Sequence, residues 1–160
     1  MLVGILSDTH DNMIMLKKAV DCFLGRGVDL VLHAGDYVAP FTARELGRLN
    51  CGLIGVFGNN DGDKLLLTKK YEGIGQLYDG IHQLKVDGKM IALTHYPDIA
   101  ETLASRGAYD VVICGHNHRA KIVEGKTLLI NPGECCGWLE GTSTIAFLDL
   151  LTMRTELVTL

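Results

Sequence analysis

Short apolar runs recur along the chain, and a polar segment follows each of them directly. Apolar runs that are bounded by turn residues are typical of buried strands. Five such runs lie at Leu2–Leu6, Leu30–Leu32, Leu53–Phe57, Met90–Leu93 and Val111–Cys114. The pattern therefore predicts five buried strands, each ending in polar residues.

The first part of the chain predicts alternating strands and helices. Apolar residues at helical spacing predict a first helix over Met13–Gly25. Strands are expected at Asp29–Ala34 and Gly52–Phe57, with a second helix at about Pro40–Leu49 between them. This βαβαβ order favours parallel pairing of the strands. Beyond this unit, Lys64–Tyr71 is compatible with a short helix ahead of a Gly-rich loop.

The second half of the chain changes to hairpins. Asp87-Gly88 is a favoured two-residue hairpin turn, and a second hairpin is expected around Glu124-Gly125. The predicted elements of this half are strands at Ile81–Val86, Lys89–Thr94, Val111–Cys114, Ala120–Val123, Thr127–Ile130, Thr144–Leu150 and Arg154–Leu160, and a helix at Ile99–Arg106. This order predicts two packed sheets with helices outside. Because no linker or repeat is visible, we interpret residues 1–160 as a single domain.

Composition excludes several classes of protein. Hydrophobic residues make up 48% of the chain and charged residues 21%, which is ordinary for a globular protein. The net charge of −4 and the lack of a Lys/Arg-rich run disfavour strong nucleic-acid binding. No apolar stretch approaches the ~20 residues that span a bilayer, and no basic segment of a signal peptide is visible. Five cysteines without CxxC spacing fit reduced thiols, so we expect a cytoplasmic protein.

The polar segments after the strands contain metal-ligating residue types. They are Ser7-Asp8-Thr9-His10, Gly35-Asp36, Gly58-Asn59-Asn60-Asp61, Thr94-His95 and Gly115-His116-Asn117-His118. Each segment alone is as well explained by a helix cap or a turn. Their shared position at the carboxyl ends of strands is different, because such ends converge on one crevice in an open α/β sheet. We therefore expect these side chains to form one site.

The spacing within two segments suits chelation. Residues i and i+2 leaving an extended strand point to the same side, so Asp8 can pair with His10, and His116 with His118. Mixed imidazole and carboxylate ligands suit divalent Mn, Fe, Co, Ni or Zn. The predicted ligands are Asp8, His10, Asp36, Asn59, His95, His116 and His118. If Asp36 bridges two ions, these seven residues supply four bonds to each ion, an arrangement suited to two-metal hydrolysis.

The segments also resemble a known family. Asp8-x-His10, Gly35-Asp36, Gly58-Asn59-x-Asp61, His95 and Gly115-His116-x-His118 are similar to the motifs of the calcineurin-like metallophosphoesterases. The Ser-Asp-Thr-His-Asp-Asn opening most resembles the small prokaryotic YfcE-type phosphodiesterases. The resemblance implies an α/β fold, a four-layer αββα sandwich of two mixed sheets with flanking helices.

The resemblance also implies how the ligands divide between two divalent ions, for which we expect Mn²⁺ or Ni²⁺, with Fe, Co or Zn as alternatives. The first ion would be held by Asp8, His10, Asp36 and His118, and the second by Asp36, Asn59, His95 and His116. Asp36, Asn59 and His95 would be central to catalysis. The implied reaction is hydrolysis of a small phosphodiester by a hydroxide that bridges the two ions.

Two departures from the family pattern affect this interpretation. Many members have a histidine, used as general acid, directly after the metal-binding Asn, whereas this chain has Asn60, which cannot act as an acid. Asn131-Pro132-Gly133-Glu134 resembles the Asn-Pro-Gly-Ser of the small group. A Glu134 near the site would add negative charge and disfavour phosphomonoester dianions, but we prefer the interpretation of Glu134 as part of a turn after a strand.

Neighbouring polar residues receive structural interpretations. Asp11 and Asn12 are expected to cap the first helix, and Asp61 to orient His or Asn ligands through a hydrogen bond. His33, within a strand, is expected to be structural, and Arg119 to be a solvated surface residue.

Three functions remain open. The first is a metal-dependent phosphodiesterase acting on a small soluble diester. The second is a non-catalytic protein-binding scaffold on the same fold, which has no physical need for seven convergent ligands. The third is a phosphomonoesterase, which Asn60 disfavours. The sequence is also compatible with a homo-oligomer, and it predicts no membrane partner.

Overall fold

Eleven strands and four helices make up the computed structural model, which describes residues 1–160. The strands are β1 (Leu2–Leu6), β2 (Leu30–His33), β3 (Gly52–Val56), β4 (Gln76–Tyr78), β5 (His82–Val86), β6 (Lys89–Leu93), β7 (Val111–Ile113), β8 (Lys121–Val123), β9 (Leu128–Asn131), β10 (Thr144–Asp149) and β11 (Arg154–Thr159). The helices are α1 (Met13–Arg26), α2 (Thr42–Leu46), α3 (Lys64–Lys70) and α4 (Pro97–Ser105). No helix combines the length and the apolar character that crossing a bilayer requires.

The strands form two mixed sheets. The first sheet has six strands in the order β11-β10-β1-β2-β3-β4, with β1 to β4 parallel, as the βαβαβ pattern predicts. The second sheet has five strands in the order β5-β6-β7-β9-β8, with β6, β7 and β9 parallel. Both predicted hairpins occur at the edges of the second sheet. The β5–β6 turn has positive φ at Asp87 and Gly88, as a tight hairpin requires.

The sheets pack face to face, and helices cover both outer faces. Val3, Ile5 and Leu32 of the first sheet pack with Ile91 and Ile113 of the second sheet in a fully buried core. A further core joins α1, α2 and α3 to the outer face of the first sheet. A smaller one joins α4 to the outer face of the second sheet. The fold is therefore the four-layer αββα arrangement that the resemblance implies.

Some predicted elements differ from the structure. The second helix is only Thr42–Leu46, because Gly47 follows and the chain continues in single turns that close on nearby carbonyls. The helix at 99–106 begins earlier, with Pro97 in its first turn, where proline costs no hydrogen bond. Strand β4 was not expected, because its three residues are too short to show an alternating pattern. The first helix ends one residue beyond the predicted Gly25, since Gly27 closes it in the left-handed region.

Candidate metal centre

Five loops bring the seven predicted ligands together. They follow β1, β2, β3, β6 and β7, which are parallel strands of the two sheets, and the loops bond to one another. Within the first sheet, the backbone N–H of Asp8 donates to Gly35 O at 3.0 Å. Between the sheets, the N–H of His116 donates to Asp8 Oδ2, also at 3.0 Å. The loops therefore form one connected surface at the carboxyl ends of these strands.

One group of ligand atoms surrounds Asp8 Oδ1. His118 Nε2 lies 3.6 Å and His10 Nε2 3.8 Å from this oxygen, and His10 Nε2 lies 3.4 Å from Asp36 Oδ2. Asp8 and Asp36 are buried, and neither Asp8 Oδ1 nor His10 Nε2 has a hydrogen-bond partner. Buried polar atoms without partners are rare, and a bound cation satisfies a carboxylate oxygen and an imidazole nitrogen together. These atoms fit a divalent metal ion.

A second group surrounds Asn59 Oδ1. His116 Nδ1 lies 2.9 Å and His95 Nε2 3.0 Å from this oxygen, and His95 Nε2 also lies 3.4 Å from Asp36 Oδ2. Asp36 thus faces both groups. Asn60 bonds to the same carboxylate, with its backbone N–H on Oδ1 and its side-chain Nδ2 on Oδ2, both at 2.8 Å. The ligand atoms can thus be divided around these two oxygens, although those of Asp8, Asp36 and His95 also lie within 4.8 Å of one another.

Hydrogen bonds behind two histidines point their other nitrogens toward the centre. His95 Nδ1 lies 2.7 Å from Ala34 O, and His118 Nδ1 lies 2.6 Å from Glu134 Oε2. Both partners are acceptors, so each Nδ1 carries the proton, and in a neutral ring Nε2 is left with a free lone pair. Such support behind the ring is usual for metal-ligating histidines. The donor set and its orientation therefore suit metal binding.

The electrostatics of the centre favour positive charge. Burial raises the pKa of Asp36, but the neighbouring His95 imidazole and the hydrogen bonds from Asn60 outweigh this effect and hold that pKa well below its usual range. The neighbouring Asp8 carboxylate raises the pKa of His10, against the opposing effect of burial. Burial lowers the pKa of His95, but Asp36 outweighs it and the net shift is upward. The two carboxylates thus stabilise cations at the point where metal ions would sit.

The i, i+2 spacing predicts only one of the two pairs, because Asp8 and His10 share a group whereas His116 and His118 do not. Five of the seven have positive φ, so the chain has left the extended conformation. They are Asp8, His10, Asp36, His116 and His118, with φ values of 53°, 38°, 62°, 73° and 63°. His116 lies beside Asn59 Oδ1, whereas His118 lies beside Asp8 Oδ1. Left-handed backbone costs a residue other than glycine ~1–2 kcal/mol, so the centre concentrates strain that the surrounding hydrogen bonds maintain.

A glycine before the bridging residue allows this close packing. Gly35 has a φ of +101°, and a Cβ there would lie 2.7 Å from His95 Nδ1 and 2.9 Å from the backbone nitrogen of Gly58. Any side chain would therefore push the loops after β2, β3 and β6 apart. The Gly-Asp pair is required by the approach of three loops as well as by the turn.

Glu134 is the residue that the sequence interpretation missed. Far from being part of an exposed turn, it is completely buried, and it accepts the Nδ1 hydrogen of His118 at 2.6 Å. The backbone N–H groups of Leu139 and Glu140 donate to the same carboxylate at 2.6–3.0 Å. Burial alone raises the pKa of Glu134, but these hydrogen bonds produce a net lowering. The available signal was a carboxylate in place of the serine of related sequences.

We expect Glu134→Gln to lower the affinity for the ion that His118 would hold by ~10–100-fold, which is typical of changes to a residue that hydrogen-bonds a metal ligand. The amide keeps the shape but loses the charge that polarises the imidazole. Titration against a chromophoric chelator measures both affinities. Glu140→Gln, which changes an exposed carboxylate paired with Arg119, is the matched control. Unchanged affinities in Glu134→Gln would contradict this role.

The prediction that Asp61 orients His or Asn ligand side chains through a hydrogen bond is wrong, because Asp61 bonds to the backbone of the loops instead. Its carboxylate accepts from the backbone N–H groups of Asp36, Val38 and Gly58 at 2.7–3.0 Å. Burial raises the pKa of Asp61 despite these bonds. The residue fixes the backbone that carries Asp36 and Asn59.

The remaining neighbours have structural roles. Asn12 caps α1 by accepting from Met15 N, whereas Asp11 bonds to Ala39 N and so ties two loops together. His33 is buried, and burial lowers its pKa to about 3, so the ring is neutral in the core. Arg119 is exposed and pairs with Glu140, as expected of a surface residue.

The chain resembles characterised proteins over almost its whole length. Residues 1–153 match the calcineurin-like phosphoesterase superfamily domain. A phosphodiesterase of Methanocaldococcus jannaschii is 38% identical over 154 residues, which cover 93% of each chain. A solved structure of a novel archaeal phosphodiesterase has a TM-score of 0.94 at 36% identity, and the match covers 100% of both chains.

A more distant relative shares the fold. YfcE, a phosphoesterase from E. coli, has a TM-score of 0.72 at 18% identity, covering 99% of this chain and 98% of its own. At this identity the likeness concerns the fold alone. Membership of a family is shown instead by the match over residues 1–153 and by the 38% identity to the M. jannaschii protein. The chain belongs to the calcineurin-like phosphoesterase superfamily.

Proposed function

We propose that this chain, acting as a single domain, is a metal-dependent phosphodiesterase that uses two divalent ions to hydrolyse a small phosphodiester. The observation that carries the proposal is the position of Asp36, whose Oδ2 lies 3.4 Å from His10 Nε2 in one ligand group and 3.4 Å from His95 Nε2 in the other. A carboxylate shared between two histidine-containing groups is suited to bridging two ions. The 38% identity to a named phosphodiesterase supports the reaction class.

The protein residues would bind and orient the ions and the substrate. Asp8, His10 and His118 would hold one ion, Asn59, His95 and His116 the other, and Asp36 both. When bound, the ions would activate water and neutralise charge on the phosphate. Asn59 and His116 are exposed, so a substrate reaches the centre from that side. We expect Mn²⁺ or Ni²⁺ in this set of nitrogen and oxygen ligands.

A diester suits this centre better than a monoester. The phosphate of a diester carries one negative charge, so Asp8 and Asp36 repel it less than they repel a monoester dianion. Asn60 cannot serve as a general acid, because an amide has no acidic proton to give. Its backbone N–H and its side-chain Nδ2 instead donate hydrogen bonds to Asp36. A positioned general acid contributes ~10²–10⁴-fold when the leaving group is poor. The enzyme should therefore act best on esters whose leaving groups need little protonation.

Bis(4-nitrophenyl) phosphate should be cleaved faster than 4-nitrophenyl phosphate at one fixed Mn²⁺ or Ni²⁺ concentration. Asn60→His should narrow the difference by assisting the departure of poorer leaving groups. Asn60→Ala is the matched control, because it removes the same bond to Asp36 without adding an imidazole. Steady-state rates on both esters give the ratio. A preference of the wild type for the monoester across neutral pH would restore the phosphatase alternative.

The scaffold alternative makes a different prediction. A protein used only for partner binding gains nothing from buried carboxylates and strained ligand loops, both of which cost folding free energy. The deciding experiment is elemental analysis after incubation with excess Mn²⁺ or Ni²⁺, followed by a panel of diester substrates. We expect metal uptake and turnover. A protein that takes up no divalent metal and cleaves no diester would support the scaffold.

A further inference from the structure

The only tryptophan of the chain stands beside the candidate metal centre. Trp138 is 62% exposed, although its indole Nε1 donates to the backbone oxygen of the ligand His10 at 3.4 Å. The following residue, Leu139, is 71% exposed. The polar atom of this side chain is therefore bonded to a ligand loop, while the ring remains in solvent. What the indole offers to a ligand is mainly its ring faces.

The segment that carries Trp138 has no regular secondary structure, yet it is fixed to the centre at many points. Cys135 N donates to Ser7 O at 2.9 Å, and Cys136 N donates to Asp8 O at 3.0 Å. Asn12 Nδ2 donates to Cys136 O at 2.8 Å. After the tryptophan, backbone N–H groups bond to the buried Glu134. These bonds hold the segment Glu134–Glu140 against the loop that carries Asp8 and His10.

The backbone turns sharply just before the ring. Gly137 has a φ of +70°, and a Cβ at this position would lie 2.6 Å from Ser143 Oγ. A side chain at this position would adopt the left-handed region and require Ser143 to move, so glycine is favoured at the turn that places Trp138 at the surface next to His10. Because the segment is held on both sides of the ring, little conformational entropy would be lost when a ligand packs against it.

The centre itself offers little to recognise an ester group. Five surface clefts lie elsewhere on the molecule, and none of these five is lined by one of the seven ligands. Arg119, the nearest arginine in sequence to the ligands, is paired with Glu140. Ions would hold the phosphate, so the organic group of the substrate must contact side chains at the rim. Among these, Trp138 presents a large planar surface.

We propose that Trp138 is a specificity residue that stacks on an aromatic ester group of the substrate, such as a nucleobase or an aryl ring, while the metal ions hold the phosphate. The inference deepens the proposed function and rests on it, because it names the substrate class of the same centre. The indole N–H is taken by His10 O, so recognition is by the ring face and is tolerant of the identity of the aromatic group.

The test compares phenylphosphonate with ethylphosphonate, which carry a stable P–C bond and are not hydrolysed. Calorimetric titration of the Mn²⁺-loaded protein gives a Kd for each, and the ratio isolates the contribution of the aromatic group. Fluorescence of the single tryptophan, excited at long wavelength, reports directly on stacking in the wild type. The variants are Trp138→Ala, Trp138→Leu and Trp138→Phe. Leu151→Ala is the control, since Leu151 is 83% exposed and follows β10 at the opposite end of β1 from Asp8.

In the wild type, phenylphosphonate should bind about 5- to 150-fold more tightly than ethylphosphonate, the range of one aromatic stacking contact. Trp138→Ala and Trp138→Leu should bring the ratio near one, Trp138→Phe should restore much of it, and Leu151→Ala should leave it unchanged. A wild-type ratio near one, no binding of phenylphosphonate, or an unchanged ratio in Trp138→Ala would each overturn the proposal. Diester hydrolysis by the same preparations reports separately on the proposed function.

Discussion

Asp36→Asn should abolish turnover and weaken the binding of both metal ions at once. The carboxylate of Asp36 faces both ligand groups through one oxygen, with Oδ2 at 3.4 Å from His10 Nε2 and from His95 Nε2. The amide keeps the size of the side chain but removes the charge shared by two cations. Since changes behind a ligand already cost ~10–100-fold, the loss of a shared ligand charge should reduce activity by more than ~100-fold.

The measurement is metal stoichiometry by elemental analysis together with turnover of bis(4-nitrophenyl) phosphate. Asp79→Asn is the matched control, because it makes the same chemical change at an exposed carboxylate that pairs with Lys64. Circular dichroism of both variants checks that the fold is intact. Two bound ions and normal turnover in Asp36→Asn would rule out the bridging role.

Two histidine variants should distinguish the two ion sites. His118→Ala removes an imidazole that faces Asp8 Oδ1 at 3.6 Å, whereas His95→Ala removes one that lies 3.0 Å from Asn59 Oδ1. Each variant should retain one ion and lose the other, in contrast to the joint loss in Asp36→Asn. Because both ions would take part in the proposed reaction, turnover at limiting metal should fall by more than ~100-fold in each variant.

Calorimetric titration with Mn²⁺ counts the sites that remain and gives their affinities. His82→Ala removes a histidine from β5, outside the centre, and should bind two ions as the wild type does. His95 is fully buried, so thermal unfolding of His95→Ala is recorded to separate loss of the fold from loss of a ligand. Wild-type activity at limiting metal in either ligand variant would show that the assignment of that histidine is wrong.

The local pattern of the sequence determined most elements of the fold. Apolar runs predict the central strands because a strand buried on both faces has no polar positions. Asp87-Gly88 fixed a hairpin, since both residues accept the positive φ that the turn needs. The same approach could not find β4, a three-residue strand whose existence depends on pairing with β3. Strands this short form through tertiary contacts and not through their own propensity.

The sequence also identified the seven candidate ligands, because polar residues at the ends of parallel strands must meet at one edge. It could not determine how they meet. The left-handed backbone at Asp8, Asp36 and His116 is maintained by bonds between loops that are far apart in sequence, such as His116 N to Asp8 Oδ2. The spacing of His116 and His118 likewise could not divide them; the family resemblance implied the division, and the tertiary structure places the two rings beside different oxygens.

Glu134 and Trp138 show this limit most clearly. They follow β9, and Trp138 lies 128 residues after His10. Apart from the carboxylate that replaces a serine at position 134, nothing in their local sequence marks them as part of the centre. Cys135 and Cys136 bond to the backbone of Ser7 and Asp8, which brings the Glu134 carboxylate behind His118 and the Trp138 ring beside His10. Local sequence determines strands, turns and ligand types because these depend on neighbouring residues. The residue that hydrogen-bonds a ligand from behind, and the residues at the rim of a site, depend on which distant loops pack together. Only the tertiary structure decides which loops these are.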